Sequence, residues 1–265
     1  MYDARIMDVM ARAAFGELLE FSEDFCEKAA ECGHRSFTIL AGAFHRTAVE
    51  ARKLSYEGPF GVGYGICGYK ALGPDGTRDF LEQHEEKENA RLRALREKED
   101  PYVRLARQTI QEYLRTGRQI APPQGLPPEL YGTRAGAFVS LKEDGRLRGC
   151  IGTIQATKDS LAEEIIANAV SACSRDPRFP PVEAWEADRL TVSVDVLGET
   201  EAVTSPEELD AGRYGVIVTK GLKRGLLLPN LEGVDTVEQQ IAIAKQKAGI
   251  REGEAVALER FEVVR

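Results

Sequence analysis

The stretch "GAFVSLKEDGRLRGCIGTI", residues 136–154, decides the fold. Asp144-Gly145 is the residue pair of a two-residue type I′ turn, and strand-like runs flank it, so the segment predicts a β-hairpin. With those two residues as the turn, Cys150 pairs with Val139 and Arg148 with Leu141 on the same face. The return strand sets Gly149 beside Cys150 and Gly152 two residues on. Each glycine costs a strand interior roughly 0.5–1 kcal/mol against alanine, so glycine appears there where a ligand or another backbone must come close.

Downstream, "DSLAEEIIANAVSAC" (159–173) predicts a helix, with Ser160 and Glu163 at capping-box spacing and an apolar stripe through Leu161, Ile165, Ala169 and Cys173. "SRDPRFPP" (174–181) ends it, because Asp176 precedes a proline and Pro180-Pro181 cannot continue a helix. "RLTVSVDVLG" (189–198) alternates as a strand, "GVIVTKGLKRGLLLP" (215–229) is a second hairpin around Gly221, and "DTVEQQIAIAKQKAG" (235–249) is a last helix closed by Gly249. Upstream, an amphipathic helix from Pro101 carries Val103, Leu105, Ile110 and Leu114. No internal repeat is visible along the sequence.

Composition narrows the function. With 43% hydrophobic and 29% charged residues, the 265-residue chain has a globular composition. Its net charge of −8 argues against sequence-independent binding to nucleic acid or to an anionic membrane. Five cysteines without C-x-x-C spacing make neither a disulfide scaffold nor a zinc site. No apolar run reaches about 18 residues, and the N-terminus has no signal-peptide pattern, so the expectation is a soluble cytoplasmic protein.

Residues 82–100, "EQHEEKENARLRALREKED", hold seven acids and five bases, which reads as a charged helical linker. It separates residues 1–81 from residues 101–265. Within the first piece, residues 35–69 read as an apolar segment, a helix and a glycine-rich strand-like run, as at the end of an α/β domain.

"LRGCIGT" (147–153), "SRDPRFPP" (174–181) and "GLLLP" (225–229), in this order, resemble the AMMECR domain family, and the match runs from Pro101 to Arg265. In the first piece, "RSFTILAGAF" (35–44) and "EARKLSYEGPFGVGY" (50–64) resemble the final part of a LigB-like, Memo-related class III extradiol dioxygenase domain. The two occur together in the AmmeMemoRadiSam system protein A family. The resemblance implies an α+β domain with a central antiparallel sheet flanked by helices, organised in a larger and a smaller lobe. It also implies association with Memo-like and radical SAM proteins. It supplies no activity. Tyr214 stands where members often have histidine, and "EGVDT" (232–236) where they have a tryptophan-containing segment.

Several residues are candidates for chemistry. Cys150, widened by Gly149 and Gly152 and biased toward thiolate by Arg148, reads as a ligand contact on a shallow pocket or as the nucleophile of a transfer or redox enzyme. Against this stands a small buried cysteine in a strand. Arg175, Asp176 and Arg178 make an anion-binding corner, or else a loop in which Asp176 pairs with arginine and Phe179 anchors. Lys220, Lys223 and Arg224 flank a hairpin tip, where bases protect a strand edge; grouped with the other arginines, they would line a cleft for a small anionic ligand. All three histidines, His34, His45 and His84, precede residue 101, so a Cys-His dyad and a histidine metal site are both excluded from the second piece. An extradiol site needs Fe(II) on two histidines and a carboxylate. Glu31 or Glu57 descends from that carboxylate in this reading, but the histidine ligands lie upstream of the resembled fragment, so no metal and no other cofactor is expected. The first function reading is a binding or accessory module for a partner protein or small anionic ligand; the alternatives are a Cys150 enzyme and an iron dioxygenase.

Overall fold

The computed structural model describes residues 2–231 and 233–264; Met1, Arg265 and Glu232 of the EGVDT segment lie outside the described residues. The chain divides into two compact units, Met1–Leu95 and Arg96–Arg265.

In the first unit, helices α1 (Tyr2–Arg12), α2 (Glu23–Lys28) and α3 (His34–Ala43) precede an antiparallel hairpin of β1 (Thr47–Glu57) and β2 (Tyr64–Pro74), and α4 spans Phe80–Glu97. The order differs from the sequence expectation, since residues 34–43 are the helix and residues 47–57 are a strand. Alternation explains this: Val49 and Ala51 pack on the core of Val9, Met10, Phe15 and Leu18, while Glu50 and Arg52 point to water. The charged segment lies on α4, where only Phe80 and Leu92 are buried.

The second unit starts with α5 (Pro101–Thr116), for which Asp100 accepts the Tyr102 and Val103 N–H groups and Pro101 takes the first turn. Then follow α6 (Pro128–Gly132), β3 (Ala137–Glu143), β4 (Arg146–Gly152), α7 (Leu161–Ser174), β5 (Thr191–Leu197), β6 (Glu201–Val203), β7 (Gly215–Lys220), β8 (Lys223–Leu227), α8 (Val237–Lys247), β9 (Ala257–Phe261) and β10 (Val263–Val264). They form two four-stranded antiparallel sheets, ordered β10-β5-β3-β4 and β6-β9-β7-β8. The chain is α+β.

The two sheets repeat one plan, which the sequence reading missed. Each is a hairpin, then a helix, then a third strand that pairs with the first strand of the hairpin: β3, β4, α7, β5 and again β7, β8, α8, β9. The segments that follow cross over, so β6 joins the second sheet and β10 returns to the first. Arg148, Gly149, Ser160 and Glu163 recur 76 positions later as Arg224, Gly225, Thr236 and Gln239. Ser160 and Thr236 cap the two helices, accepting the N–H groups of Glu163 and Gln239.

Alternation along β3 sorts the core. Ala137, Val139 and Leu141 are fully buried against α5 and α7, with Leu161, Ile165, Ala169 and Cys173 of the predicted stripe. On the opposite face, Phe138 packs with Leu197, Ile217, Leu226, Leu228 and Phe261, which join the two sheets. Anything that shares a face with Phe138 therefore looks toward the second sheet.

Candidate functional site

Cys150 lies on β4, an edge strand, and faces the second sheet. Asp144 and Gly145 both take positive φ (50° and 80°), as the turn pair requires. The register nevertheless differs from expectation. Cys150 pairs with Ser140 and Gly149 with Leu141, because the register shifts between Leu141 and Lys142 and leaves Arg148 as an extra residue on β4. That bulge reverses the predicted faces. Cys150 thereby moves from the α7 side to the Ser140 and Phe138 side, and the Ser140 hydroxyl donates to its Sγ at 3.1 Å.

The two glycines do not open a pocket. A Cβ on Gly149 would fall inside 3.0 Å of the Ala172 carbonyl oxygen on α7, and one on Gly152 would run into the Phe138 ring and the Ala137 carbonyl. Gly149 admits a helix backbone and Gly152 an aromatic ring, so the space beside both is filled by protein. Arg148 is not on a pocket wall either. Its guanidinium forms a two-point ion pair with Glu186 (2.7 and 3.0 Å) and donates to the carbonyls of Pro180 and Pro181, tying the proline loop to the bulge. Burial pushes the Glu186 carboxyl up, but Arg148 and the Glu183 N–H outweigh it and hold it below the usual range.

The loop 174–181 covers the open edge of β4. Asp176, with only 2% of its side chain exposed, accepts the Cys150 N–H at 2.8 Å and both the backbone and side chain of Arg178. Arg178 donates back to the Cys150 carbonyl at 3.0 Å. One side-chain pair thus satisfies both edge groups of Cys150, as a neighbouring strand would. Arg178 and the two N–H groups pull the Asp176 carboxyl down to about 2, against the opposing effect of burial. Arg175 sits exposed at the end of α7 and forms no side-chain ion pair among the described residues.

The sequence reading missed one cation that interacts with Cys150. Lys247, in the last turn of α8, interacts electrostatically with both Cys150 and Arg178, and no carboxylate pairs with it among the described residues. Burial lowers its ammonium pKa first of all; Cys150 opposes that shift and Arg178 adds to it. In the sequence, a lysine at this position reads only as a complement to the helix dipole. Its distance of 97 positions from Cys150 hides the contact. The thiol is half-buried, and it interacts electrostatically with two cations from different elements, Arg178 of the loop and Lys247 of α8.

The remaining candidates are engaged elsewhere. Lys220 pairs with Glu254 at 2.6 Å and Arg224 with Glu259 at 3.0 Å, and Lys223 donates to the Gly249 carbonyl, so this trio does not join Arg148 in a cleft. The guanidinium groups of Arg213 and Arg260 both lie over the Tyr214 ring, 4.8 and 4.6 Å from its centroid. In the first unit, Glu31 accepts the N–H groups of Gly33 and His34, His45 contacts Asp79, and Glu57 is exposed. Among the described residues, no three His, Cys, Asp or Glu side chains are grouped to hold a metal ion. Nor is any helix among them long and apolar enough to cross a membrane.

Two helix-backed antiparallel sheets with a cysteine on the edge strand between them define the class of protein. The AMMECR1 family model matches residues 103–265, and this chain belongs to that family. Protein CA_C1420 of Clostridium acetobutylicum is 43% identical over 265 residues, covering all of this chain, which spans 56% of that protein's length. A Thermotoga maritima protein is 56% identical over 148 residues, or 55% of this chain and 85% of its own. The crystal structure of uncharacterized protein PH0010 from Pyrococcus horikoshii superposes with a TM-score of 0.58 at 38% identity, covering 61% of this chain and 87% of that one.

Proposed function

We propose that this chain is a binding or accessory module of a cytoplasmic system that includes Memo-like and radical SAM proteins, and that its inter-sheet site at Cys150 takes a small anionic ligand. The observation that carries the ligand reading is Lys247: a cation without a carboxylate partner among the described residues, which interacts electrostatically with a half-buried thiol and with Arg178. Arg178 is held by Asp176 yet keeps half of its side chain exposed, and Arg175 adds charge from the same loop. Arg148, Gly149, Gly152 and Asp176 serve the site by shaping β4 and its edge. In this reading residues 1–81 are the final segment of a LigB-like domain, and residues 82–100 link it to the AMMECR domain of residues 101–265, as in AmmeMemoRadiSam system protein A. The full-length match to the longer Clostridium acetobutylicum protein supports treating both pieces as one inherited arrangement.

The test is protection of the thiol. Citrate at millimolar concentration is expected to slow alkylation of Cys150 by the neutral reagent iodoacetamide, and Lys247→Met to abolish the protection. Equal rates with and without citrate would remove the ligand reading.

A second reading, an enzyme that reacts through Cys150, is favoured by the Ser140 hydroxyl on Sγ and by the flanking cations. The iron dioxygenase alternative finds no support in the placement of Glu31, Glu57, His34 and His45, which serve separate local contacts or face solvent.

A further inference from the structure

The hairpin of the first unit has more apolar surface than that unit covers. β1 and β2 are each 11 residues long, about twice the common strand length. Among the described residues they form a sheet of two strands, with no third strand on either edge. One face is occupied: Cys67 and Tyr69 pack on the core that includes Val9, Met10 and Phe15, and a Cβ on Gly65 would run into the Met7 sulfur of α1. By alternation, Tyr64, Ile66 and Gly68 point the other way. Leu54 joins them, because it is the extra residue at the register shift between Lys53 and Ser55, and a Cβ on Gly68 would lie 3.8 Å from its Cδ1. Leu54, Tyr64 and Ile66 are 58%, 60% and 56% exposed, and Leu72, farther along β2, is 58% exposed. One exposed apolar side chain needs no explanation, but a group of them on the outer face of a long, open-edged hairpin is what folded proteins keep covered.

The relatives indicate what covers it. The family model leaves the hairpin out, since its match starts at residue 103. The Clostridium acetobutylicum protein matches this chain across both units and has a little under half of its own length besides. There the counterpart of the hairpin and the additional polypeptide share one molecule, which sets them at high effective concentration.

We propose that the outer face of the β1–β2 hairpin is a docking surface for a folded polypeptide corresponding to the rest of that protein, seated by an apolar surface of its own on Leu54, Tyr64 and Ile66. The proposal is independent of the ligand reading at Cys150. A second copy of this chain is the weaker occupant, because two chains of net charge −8 repel each other. Large apolar side chains that pass from exposed to covered form the centre of an interface, and a few of them dominate its affinity.

The test uses the full chain and, as probe, the part of the Clostridium acetobutylicum protein outside the match, produced as a separate chain and also co-expressed. A one-to-one complex is expected by calorimetry and sedimentation, with slowed hydrogen exchange at the amides of β1 and β2. Leu54→Lys and Ile66→Lys should each weaken binding by about tenfold or more, with melting temperature unchanged because both side chains are exposed. Trp185→Ser, at a 67% exposed site in the second unit, should bind as the parent does. Absence of a complex in both formats overturns the proposal, as does a complex that Leu54→Lys and Ile66→Lys leave intact. A chain that dimerises alone, and becomes monomeric with Leu54→Lys, would assign the face to a second copy and likewise overturn it. Citrate protection of Cys150 is unaffected by any of these outcomes, so the two readings fail separately.

Discussion

Gly149 lies directly beneath the Ala172 carbonyl: a Cβ there would also come 3.3 Å from the Ala172 carbonyl carbon and 3.6 Å from Leu141 Cδ1. The second sheet repeats the device, with Gly225 under the Ala244 carbonyl, where an added Cβ would also come 3.1 Å from the Ala248 nitrogen. In each lobe the glycine lets a helix backbone settle onto the hairpin's second strand. Gly149→Ala is therefore expected to lower stability by about 1–3 kcal/mol through overpacking against a backbone that cannot rotate away. Gly225→Ala should behave alike. Denaturant unfolding checks both, and a Gly149→Ala midpoint within error of the parent would show that α7 shifts freely.

This outcome differs from what the sequence suggests on its own. Two glycines around a cysteine favour a pocket, because sequence shows the missing side chain and not what fills its place. The hairpin was legible, since Asp144-Gly145 has one good conformation and the alternation on either side is strong. The register was not, because a bulge at Arg148 depends on Glu186 and the prolyl carbonyls waiting 32 to 38 residues downstream. The repeat was hidden for a similar reason: what recurs is a glycine under a helix and a cap at its start, too few identities to see without the sheets. Cys150, Asp176 and Arg178 could be named from the sequence, but Lys247 could not, since its electrostatic interaction with the thiol arises only once α8 has packed.

Residues 96–265 are expected to fold without the first unit. Both sheets, all four helices from α5 to α8 and the clusters that join them lie within that segment. Expressed alone, it should give a soluble protein with a single cooperative thermal transition. A broad, non-cooperative melt would mean that the second unit depends on the first.

The Arg148–Glu186 pair offers a sharper test of the bulge. Their side chains are 15% and 6% exposed, so removing one partner strands a largely desolvated charge. Arg148→Met and Glu186→Leu should each cost about 3–5 kcal/mol, whereas the double variant should recover much of that loss. Additive effects would show that the two residues act independently, and the ion pair would then not be what holds the proline loop to β4.

The acid limb of stability should carry the signature of Asp176. Its carboxyl titrates at about 2 in the folded chain, below the ordinary value of 3.8, chiefly because Arg178 binds it. A lowered folded pKa means that the unfolded chain takes up the proton first as pH falls. The stabilisation is thus fully present above about pH 5 and is lost between there and pH 2, amounting to on the order of 2 kcal/mol. Asp176→Asn keeps an oxygen for the Cys150 N–H but loses the charge that orders Arg178. The variant should be less stable at pH 7 and should show a shallower decline from pH 5 to pH 2, so the two curves converge in acid. Measuring urea midpoints across that range decides it. Parallel curves, separated by the same amount at pH 7 and pH 2, would show that Asp176 contributes only its hydrogen bond to the edge of β4 and that its pairing with Arg178 adds nothing to the fold.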